Sequence, residues 1–437
     1  MKYFGITIRM AMFVSILSIF LVIGKLHATY MGGYDLTESG RFIWLIAYSI
    51  LCYTVAYSFG LPEVGSSSVR IESSLVSAIT SALLIGFIQI ALAQLTIPRF
   101  VIALSIPALF VLFFLFSLLV STVNRTATQN ERILLICSSE DEQIIKSDLA
   151  FHSEIPCLVA MHVEISEARK IENLANIISE NQISLIVLDN EVVKDPHIIS
   201  AVASAHSGGV RVRTQIAFYN DWIGKTPVRE LGETALLFDI REIHLVGYSR
   251  ISRLFDIGVA SLGFVVFMVA TPFVFIGNFL GNRGPLLYVQ ERVGKGQTTF
   301  RILKFRSMSP DVSSNEWTKV NDLRITRFGK FLRLSHLDEL PQVINILRGD
   351  LSIVGPRPEQ LHYVDQLSKT IPYYQSRHLV RPGLTGWAQV NYPYGADEID
   401  AFEKLQYEFW YLQHQSMWLD LRIIARTFRH VFGFKGR

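Results

Sequence analysis

The chain has 437 residues, which is enough for two or three domains. Half of the residues are hydrophobic and 18% are charged, against roughly 25% charged residues in a typical soluble domain. This composition excludes a disordered chain and disfavours a plain soluble enzyme. The 41 Lys and Arg against 38 Asp and Glu give a net charge of +3, which is too close to neutral to indicate a general nucleic-acid binder. The three cysteines form no even framework, which disfavours a disulfide scaffold or a structural zinc site and favours a reducing compartment.

Four apolar runs occupy the first 124 residues. They cover Met10–Gly24, Phe42–Leu61, Ser73–Pro98 and Phe100–Val123. Because about 20 apolar residues span the hydrocarbon core of a bilayer, the pattern predicts a transmembrane region of four helices over 1–124. A cleaved signal peptide is the alternative for the first run, but no small-residue cleavage site follows it. The flanking cations Lys2, Arg9, Arg125 and Arg132 mildly favour a cytoplasmic position for both ends of this region.

Short buried strands alternate with helical stretches from residue 125 to residue 245. The predicted strands are Ile133–Ser138, Cys157–Val163 and Ser184–Asp189, and the alternation predicts a Rossmann-like domain with a parallel sheet. The first strand is followed by Glu140 and Asp141 in place of a glycine-rich turn, which argues against dinucleotide binding. A regulatory, structural or oligomerisation role is favoured for this domain.

The C-terminal region holds the unusual residue combinations. Residues 281–360 contain 13 Lys and Arg against 8 Asp and Glu, a local charge of +5. Lys304 and Arg306 alternate with apolar neighbours, which predicts a strand with both cations on one face. The most distinctive segments are Lys304–Met308 (KFRSM), Leu337–Gln342 (LDELPQ), Val354–Glu359 (VGPRPE) and Arg381–Val390 (RPGLTGWAQV).

These segments, in this order, resemble the bacterial polyprenyl-phosphate hexose-1-phosphate transferases. That family comprises the monotopic phosphoglycosyl transferases that begin exopolysaccharide or O-antigen repeat units, and the N-terminal regions of this chain match its long form. The resemblance is dense from Arg250 to Arg437. It implies an α/β-mixed catalytic domain over 246–437 that faces the cytoplasm from the bacterial inner membrane. It also implies Mg²⁺ and transfer of hexose 1-phosphate from a UDP-hexose to undecaprenyl phosphate with release of UMP. Glucose or galactose is the favoured hexose, although N-acetylated sugars stay open.

The resemblance also assigns roles to individual residues. Asp338 corresponds to the nucleophile that becomes covalently loaded with phospho-sugar, and Glu339 corresponds to the residue that assists the metal. The local chemistry agrees, because Pro341 predicts a helix start at which a carboxylate stays ionised; capping is the ordinary alternative for such a pair. The candidate phosphate-binding cations are Lys304, Arg306, Arg333 and Arg357. Arg381 is expected to serve either the uridine diphosphate or the lipid phosphate.

A further apolar stretch, Ile257–Leu280, contains Pro272. The simplest interpretation is a fifth membrane span, but a fifth crossing would place the C-terminal region on the opposite side of the membrane from the middle domain. A UDP-sugar occurs in the cytoplasm, and the family that the chain resembles has a re-entrant helix. We therefore expect a helix over 254–281 that enters the membrane, breaks at Thr271 and Pro272, and returns.

Two further interpretations come from other classes of protein. A non-catalytic membrane scaffold or regulator of polysaccharide assembly is the alternative to the enzyme, but the intact pair of Asp338 and Glu339 favours the enzyme. A transporter would need more spans and charges inside them.

The C-terminal segment Leu421–Arg429 places arginines on one helical face, which suits a helix lying on anionic lipid or an ordinary packing helix. A homodimer is compatible with the long form of the family.

Overall fold

The computed structural model describes residues 2–32, 40–62, 67–92, 94–127, 131–152, 155–168, 174–230, 242–282, 284–308, 324–392 and 397–432. The contacts divide the chain into two compact units. The first comprises Met1–Ile186 with Ala201–Arg211, and the second comprises Val187–Ser200 with Val212–Arg437. The described chain is mostly helical, with apolar helices at the N-terminus and an α/β region after them, which confirms the expected fold class at this level.

Four apolar helices open the first unit. They are α1 (Lys2–Tyr30), α2 (Arg41–Ser58), α3 (Ser67–Ala91) and α4 (Arg99–Ala127). Within the described residues, five helical segments are long and apolar enough to cross a membrane: one in each of these helices, and a fifth at Tyr248–Gly281. The N-terminal spans therefore fall where the apolar runs of the sequence predict them.

The four helices are apolar on their outer surface as well as inside. In α1, Met12, Ile16 and Phe20 recur every four residues and are fully buried, whereas Met10 and Val14 are more than half exposed. Burying one apolar stripe and exposing another is unfavourable in water, but it is the pattern expected of a helix bundle surrounded by lipid. Two of the polar groups inside pair with each other, because the hydroxyls of Tyr48 and Thr96 lie 2.6 Å apart.

A four-stranded sheet follows these helices in the chain. Its strands lie in the order β2-β1-β3-β4, and β1 pairs with β2 in parallel. The elements are β1 (Glu131–Cys137), α5 (Ser139–Phe151), β2 (Cys157–Glu164), α6 (Ile165–Ala168), α7 (Leu174–Asn181), β3 (Leu185–Leu188), α8 (Pro196–Ser207) and β4 (Arg211–Thr214). Ser138 caps α5 by accepting a hydrogen bond from the Asp141 amide. The acidic residues after β1 therefore form the first turn of a capped helix.

The second unit is built from short elements around one long helix. They are α9 (Gln215–Phe218), α10 (Glu242–Gly281), β5 (Leu287–Val293), β6 (Thr299–Phe305), α11 (Arg327–Leu334), α12 (Gln342–Arg348), β7 (Ser352–Val354), α13 (Leu361–Thr370), β8 (Gly383–Thr385), α14 (Trp387–Asn391), α15 (Glu398–His414) and α16 (Met417–Phe432). Strands β5 and β6 form an antiparallel hairpin, and β7 pairs with β8 in parallel.

Helix α10 is continuous through Thr271 and Pro272 and ends at Gly281. The expected break at these residues is not seen as a gap in the helix, and the re-entrant path stays a prediction. A proline inside a helix removes only one backbone hydrogen bond, which a helix tolerates by bending. The Thr271 hydroxyl donates to the carbonyl of Phe267 at 2.6 Å, so this turn gains a side-chain hydrogen bond.

Both ends of α10 are tied to other parts of the second unit by polar contacts. Near its start, Arg253 donates to the carbonyls of Ile346 and Leu347 at 2.5 and 2.8 Å. At its end, the Asn282 amide donates to the Arg306 carbonyl at 2.6 Å. Between these anchors, large apolar side chains such as Val265, Phe273 and Phe279 are 61–72% exposed. The helix therefore carries an apolar outer face between two polar attachments.

The segment after β4 packs on α14 and α15. The Trp387 indole donates to the Gly224 carbonyl at 2.7 Å, and the amide of Thr226 donates to the Gln406 carbonyl at 3.0 Å. Lys225 is 1% exposed, and its ammonium lies 2.6 Å from Glu403. These contacts explain why Val212–Glu230 belongs to the second unit, although the sequence predicts it within the middle domain.

Substitution of Gly224 tests this packing. Gly224 has φ +72°, and a Cβ there would lie 2.9 Å from the Trp387 indole. We expect Gly224→Ala to destabilise the protein by about 1–3 kcal/mol beyond the control Gly296→Ala, measured by denaturant unfolding in detergent. Gly296 also has a positive φ, +64°, but an added Cβ would meet nothing within 4 Å. Equal losses for the two variants would show that the contact with Trp387 does not stabilise the unit.

Candidate active site

Lys304 and Glu339 are brought together by the β5–β6 hairpin and a short turn. Lys304 lies near the end of β6, opposite Tyr288 in β5. Its ammonium is 2.9 Å from a carboxylate oxygen of Glu339, and both side chains are about one-fifth exposed. The strand therefore delivers a cation directly to the acidic pair that the sequence singles out.

Asp338 and Glu339 lie in a 3-10 turn, Leu337–Glu339, that precedes α12. The sequence predicts that these two residues start the helix itself. In the structure α12 begins later, at Gln342, and Pro341 directly precedes it. His336 begins the turn with φ +53°, a conformation that non-glycine residues rarely adopt. This backbone reversal between α11 and the turn leaves Asp338 only 9% exposed while His336 faces solvent.

Burial and nearby charges determine the ionisation of this pair. Burial, and next the charge of Glu339, raise the pKa of Asp338 above its ordinary value of 3.8, whereas the charges of Lys304 and Arg333 oppose that rise. Burial also lowers the pKa of Lys304, and Glu339 acts in the opposite direction. The ionised form of Asp338 therefore depends on neighbouring cations rather than on the end of a helix.

Arg357 approaches the pair from a different loop. Its guanidinium lies 3.8 Å from the same Glu339 oxygen that binds Lys304. Proline residues on both sides of Arg357 restrict the backbone of this loop. Arg333, on α11, donates to the Ser307 hydroxyl at 2.9 Å and is close enough to Asp338 to act on its charge. Lys304, Arg333 and Arg357 thus surround the two carboxylates from three separate elements.

Arg306 has a different setting from the other candidate cations. Its side chain is 7% exposed, and its guanidinium donates to the Asn282 carbonyl at the end of α10. The guanidinium occupies the space that a side chain at Gly284 would need, and Gly284 has φ +138°. Burial lowers the pKa of Arg306. In the described residues, Arg306 therefore ties the end of α10 to the end of β6.

The two other groups of candidate residues lie elsewhere in the second unit. Arg381 precedes β8, its carbonyl lies next to Gly355, and its charge acts on Asp256 of α10. Thr271 and Pro272 lie inside α10.

Asn345 is a site-building residue that sequence reasoning missed. It is fully buried on α12, its side-chain oxygen accepts from the Leu303 amide at 3.1 Å, and its amide donates to the Arg301 carbonyl at 2.7 Å. It therefore fixes β6, and with it Lys304, against the helix that follows the acidic turn. An asparagine in an apolar helical stretch is the signal that would have identified it.

The donor set fits a hard divalent cation only in part. Among the described residues, no group of three or more His, Cys, Asp or Glu could hold a metal. Mg²⁺ is, however, commonly bound by one or two carboxylates together with substrate phosphates and water. The Glu339 carboxylate satisfies that requirement when a phosphate ligand supplies the remaining oxygens.

A nearly buried carboxylate ringed by cations defines a site for an anionic ligand, with phosphate as the best match. Comparison with known proteins specifies the class. The bacterial sugar transferase family matches residues 247–434. A UDP-glucose:undecaprenyl-phosphate glucose-1-phosphate transferase of Caulobacter vibrioides is 37% identical over 221 residues, 48% of this chain and 81% of that protein. The chain belongs to the bacterial sugar transferase family.

Two longer relatives are more similar in sequence. A UDP-N-acetylgalactosamine-undecaprenyl-phosphate N-acetylgalactosaminephosphotransferase of Aeromonas hydrophila is 43% identical over 196 residues, 44% of this chain and 46% of that protein. A UDP-glucose:undecaprenyl-phosphate glucose-1-phosphate transferase of Xanthomonas campestris pv. campestris is 43% identical over 184 residues, 40% of this chain and 37% of that protein. The match thus spans less than half the length of these two relatives.

Replacement of Asn345 tests how the site is assembled. Asn345→Leu leaves the Leu303 amide and the Arg301 carbonyl without their partner, and we expect a cost of about 1–3 kcal/mol for each buried group. The measurement is denaturant unfolding in detergent. Thr298→Val is the control, because it removes one exposed hydroxyl hydrogen bond on the same hairpin and should cost less than about 0.5 kcal/mol. A stability of Asn345→Leu equal to that of the control would contradict the bracing role.

Proposed function

We propose that the protein transfers hexose 1-phosphate from a UDP-hexose to undecaprenyl phosphate and releases UMP, as the first step of exopolysaccharide, O-antigen or capsule repeat-unit synthesis. The observation that carries this proposal is the nearly buried Asp338 with Lys304 and Arg333 acting on its charge. The substrates named for the relatives, UDP-sugars and undecaprenyl phosphate, support it.

The first step joins Asp338 to the sugar-bearing phosphorus. A carboxylate oxygen of Asp338 attacks that phosphorus, a new P–O bond forms, and the bond from the phosphorus to the bridging oxygen of the diphosphate breaks. UMP leaves with the bridging oxygen and its electron pair. The enzyme then holds hexose 1-phosphate as an acyl phosphate, which divides one difficult displacement into two easier ones.

The second step regenerates the carboxylate. An anionic oxygen of undecaprenyl phosphate attacks the same phosphorus, and the acyl phosphate bond to Asp338 breaks. The products are undecaprenyl-diphospho-hexose and the free carboxylate. Because the lipid phosphate is already an anion, no side chain has to remove a proton from it. Lys304, Arg333 and Arg357 stabilise negative charge on the transferring group in both steps.

Mg²⁺ is proposed as the cofactor, held by Glu339 together with diphosphate oxygens. When bound, it would neutralise charge on the diphosphate. Glu339 already contacts Lys304 at 2.9 Å and has Arg357 at 3.8 Å. These cations hold the Glu339 side chain next to Asp338.

The hexose is proposed to be glucose or galactose. The relatives are named for different sugars, N-acetylgalactosamine in one and glucose in two. A panel of UDP-sugars assayed for UMP release separates these substrates directly.

We propose that α1–α4 span the bacterial inner membrane and that α10 enters and leaves it on the cytoplasmic side. The support is that two residues near the ends of the apolar face of α10 contact other elements of the second unit. Arg253 contacts α12, and Asn282 contacts Arg306 at the end of β6. A complete crossing would carry one of these ends to the opposite side of the bilayer. On this arrangement the helix bends rather than breaks near Pro272, and the middle sheet is a Rossmann-like cytoplasmic domain.

A covalent adduct on Asp338 is the central expected outcome. With labelled UDP-hexose, Mg²⁺ and no lipid acceptor, wild-type protein should release UMP in a burst stoichiometric with the enzyme and retain the labelled sugar phosphate. Peptide mapping should locate the label on Asp338, and Asp338→Asn should abolish both the burst and the label. Asp365→Asn changes an exposed aspartate of α13 and should leave both unchanged. Turnover without an adduct at Asp338, or release of UDP, would refute the mechanism.

The acid limb of the pH–rate profile should follow the ionisation of Asp338. Burial and Glu339 raise its pKa above 3.8, so kcat/KM should fall as the pH drops through a value above 3.8. Arg333 opposes this rise; Arg333→Gln should therefore raise the pKa further and move the acid limb to higher pH.

Lys330→Gln provides the matched control for the charge change. It removes one positive charge from an exposed position on the same helix, α11. The acid limb of this variant should coincide with that of the wild type. An equal shift of the acid limb in both variants would indicate a general charge effect. An unshifted acid limb in Arg333→Gln would contradict the assignment of that limb to the ionisation of Asp338.

A further inference from the structure

A buried ion pair lies directly behind the loop that carries Arg357. Arg377 is in the 3-10 helix Tyr374–Leu379, and Glu408 is in α15. The side chains are 4% and 5% exposed. The guanidinium donates to the two carboxylate oxygens at 2.8 and 2.6 Å. Two parallel hydrogen bonds of this kind fix the plane of the guanidinium as well as its position.

The remaining donors of Arg377 extend the arrangement toward the site. One terminal nitrogen donates to the Tyr374 hydroxyl at 2.8 Å. The other, besides binding Glu408, donates to the backbone carbonyl of Arg357 at 3.0 Å. Glu408 and the backbone around Arg357 also line one small cavity with Gly355 and Pro356. The ion pair is therefore in direct contact with the backbone from which the Arg357 side chain extends.

Stability alone is a weak explanation for such a pair. Removing two charges from water offsets most of their attraction, and apolar residues of similar volume often stabilise a core equally well. Orientation is what an arginine adds, because its rigid fork holds three partners at once, whereas a lysine presents a single point charge. Here the three partners are Glu408, Tyr374 and the Arg357 carbonyl.

We propose that the Arg377–Glu408 pair is a positioning device that holds Arg357 against Glu339 for transfer of the sugar phosphate. The sequence of contacts runs from Glu408 to Arg377, to the Arg357 carbonyl, and from the Arg357 side chain to Glu339 at 3.8 Å. Arg377 and Glu408 act only through Arg357. This inference rests on the proposed function, since it concerns the geometry of the same reaction.

A double-mutant cycle tests the proposal on the full-length protein in detergent. UMP release is measured for wild type, Arg377→Lys, Arg357→Gln and the double variant, per mole of folded protein. Small displacements of a positioned group lower rates by up to about 100-fold, and we expect Arg377→Lys to lower kcat by about 10-fold to 100-fold. The kcat of the double variant should be no lower than that of Arg357→Gln alone, because Arg377 then has no Arg357 guanidinium to position.

A second cycle pairs Arg377→Lys with Lys304→Gln. Lys304 contacts the same Glu339 oxygen from β6, whereas Arg377 binds the Arg357 carbonyl, so the two reductions in kcat should multiply. Multiplying reductions in both cycles would show that Arg377 supports the fold generally and would overturn the proposal. Wild-type protein that releases no UMP would refute the proposed function itself, and the two failures are thereby distinguished.

Tyr374→Phe separates the contributions of the three partners. It removes one hydrogen bond of Arg377 but leaves the bonds to Glu408 and to the Arg357 carbonyl, so kcat should fall less than in Arg377→Lys. If Arg377→Lys does not fold, Glu408→Gln takes its place in both cycles, because it keeps the side-chain shape and weakens the paired hydrogen bonds. A folded Glu408→Gln or Arg377→Lys with wild-type kcat would also overturn the proposal.

Discussion

One constraint governs the candidate site: a carboxylate lies where water is largely excluded, and neighbouring cations oppose its protonation. Asp338 is 9% exposed, and burial alone favours its protonated form. The opposing charges come from β6, which carries Lys304, and from α11, which carries Arg333. The hairpin, the positive φ at His336 and the buried Asn345 side chain bring these elements to one point.

The sequence allowed part of this site to be predicted. Asp338, Glu339 and Lys304 lie together as their motifs indicate, and Arg357 joins them. Arg306 shows where strand periodicity ceases to apply. Alternation puts Lys304 and Arg306 on one face only while the strand continues, but β6 ends at Phe305. Beyond that point the chain leaves the strand geometry, and the Arg306 guanidinium turns to the end of α10.

Other parts of the architecture have no local pattern from which to infer them. Arg377 and Glu408 are 31 positions apart, and neither stands in a segment whose periodicity marks it as buried. Asn345 contacts residues more than 40 positions earlier. The sequence predicts the segment around Gly224 within the middle domain because its composition is that of a soluble chain. In the structure this segment contacts Trp387 and Gln406. Propensity and composition report local preference, and each of these contacts is set by tertiary packing.

Helix α10 links the chemistry of the site to its setting. Its outer face is apolar, yet the Asn282 amide at its end donates to the Arg306 carbonyl, two residues after Lys304 in the chain. A helix with an apolar outer face is therefore connected, through hydrogen bonds between Asn282 and Arg306, to the end of the strand that carries Lys304. On the proposed function, the two substrates differ most in solubility, because one is a sugar nucleotide and the other is a long-chain lipid. On the same proposal, a carboxylate beside Lys304, on the strand bonded to the end of α10, suits both substrates, since phosphate reaches it from the aqueous side and a lipid headgroup from the bilayer surface.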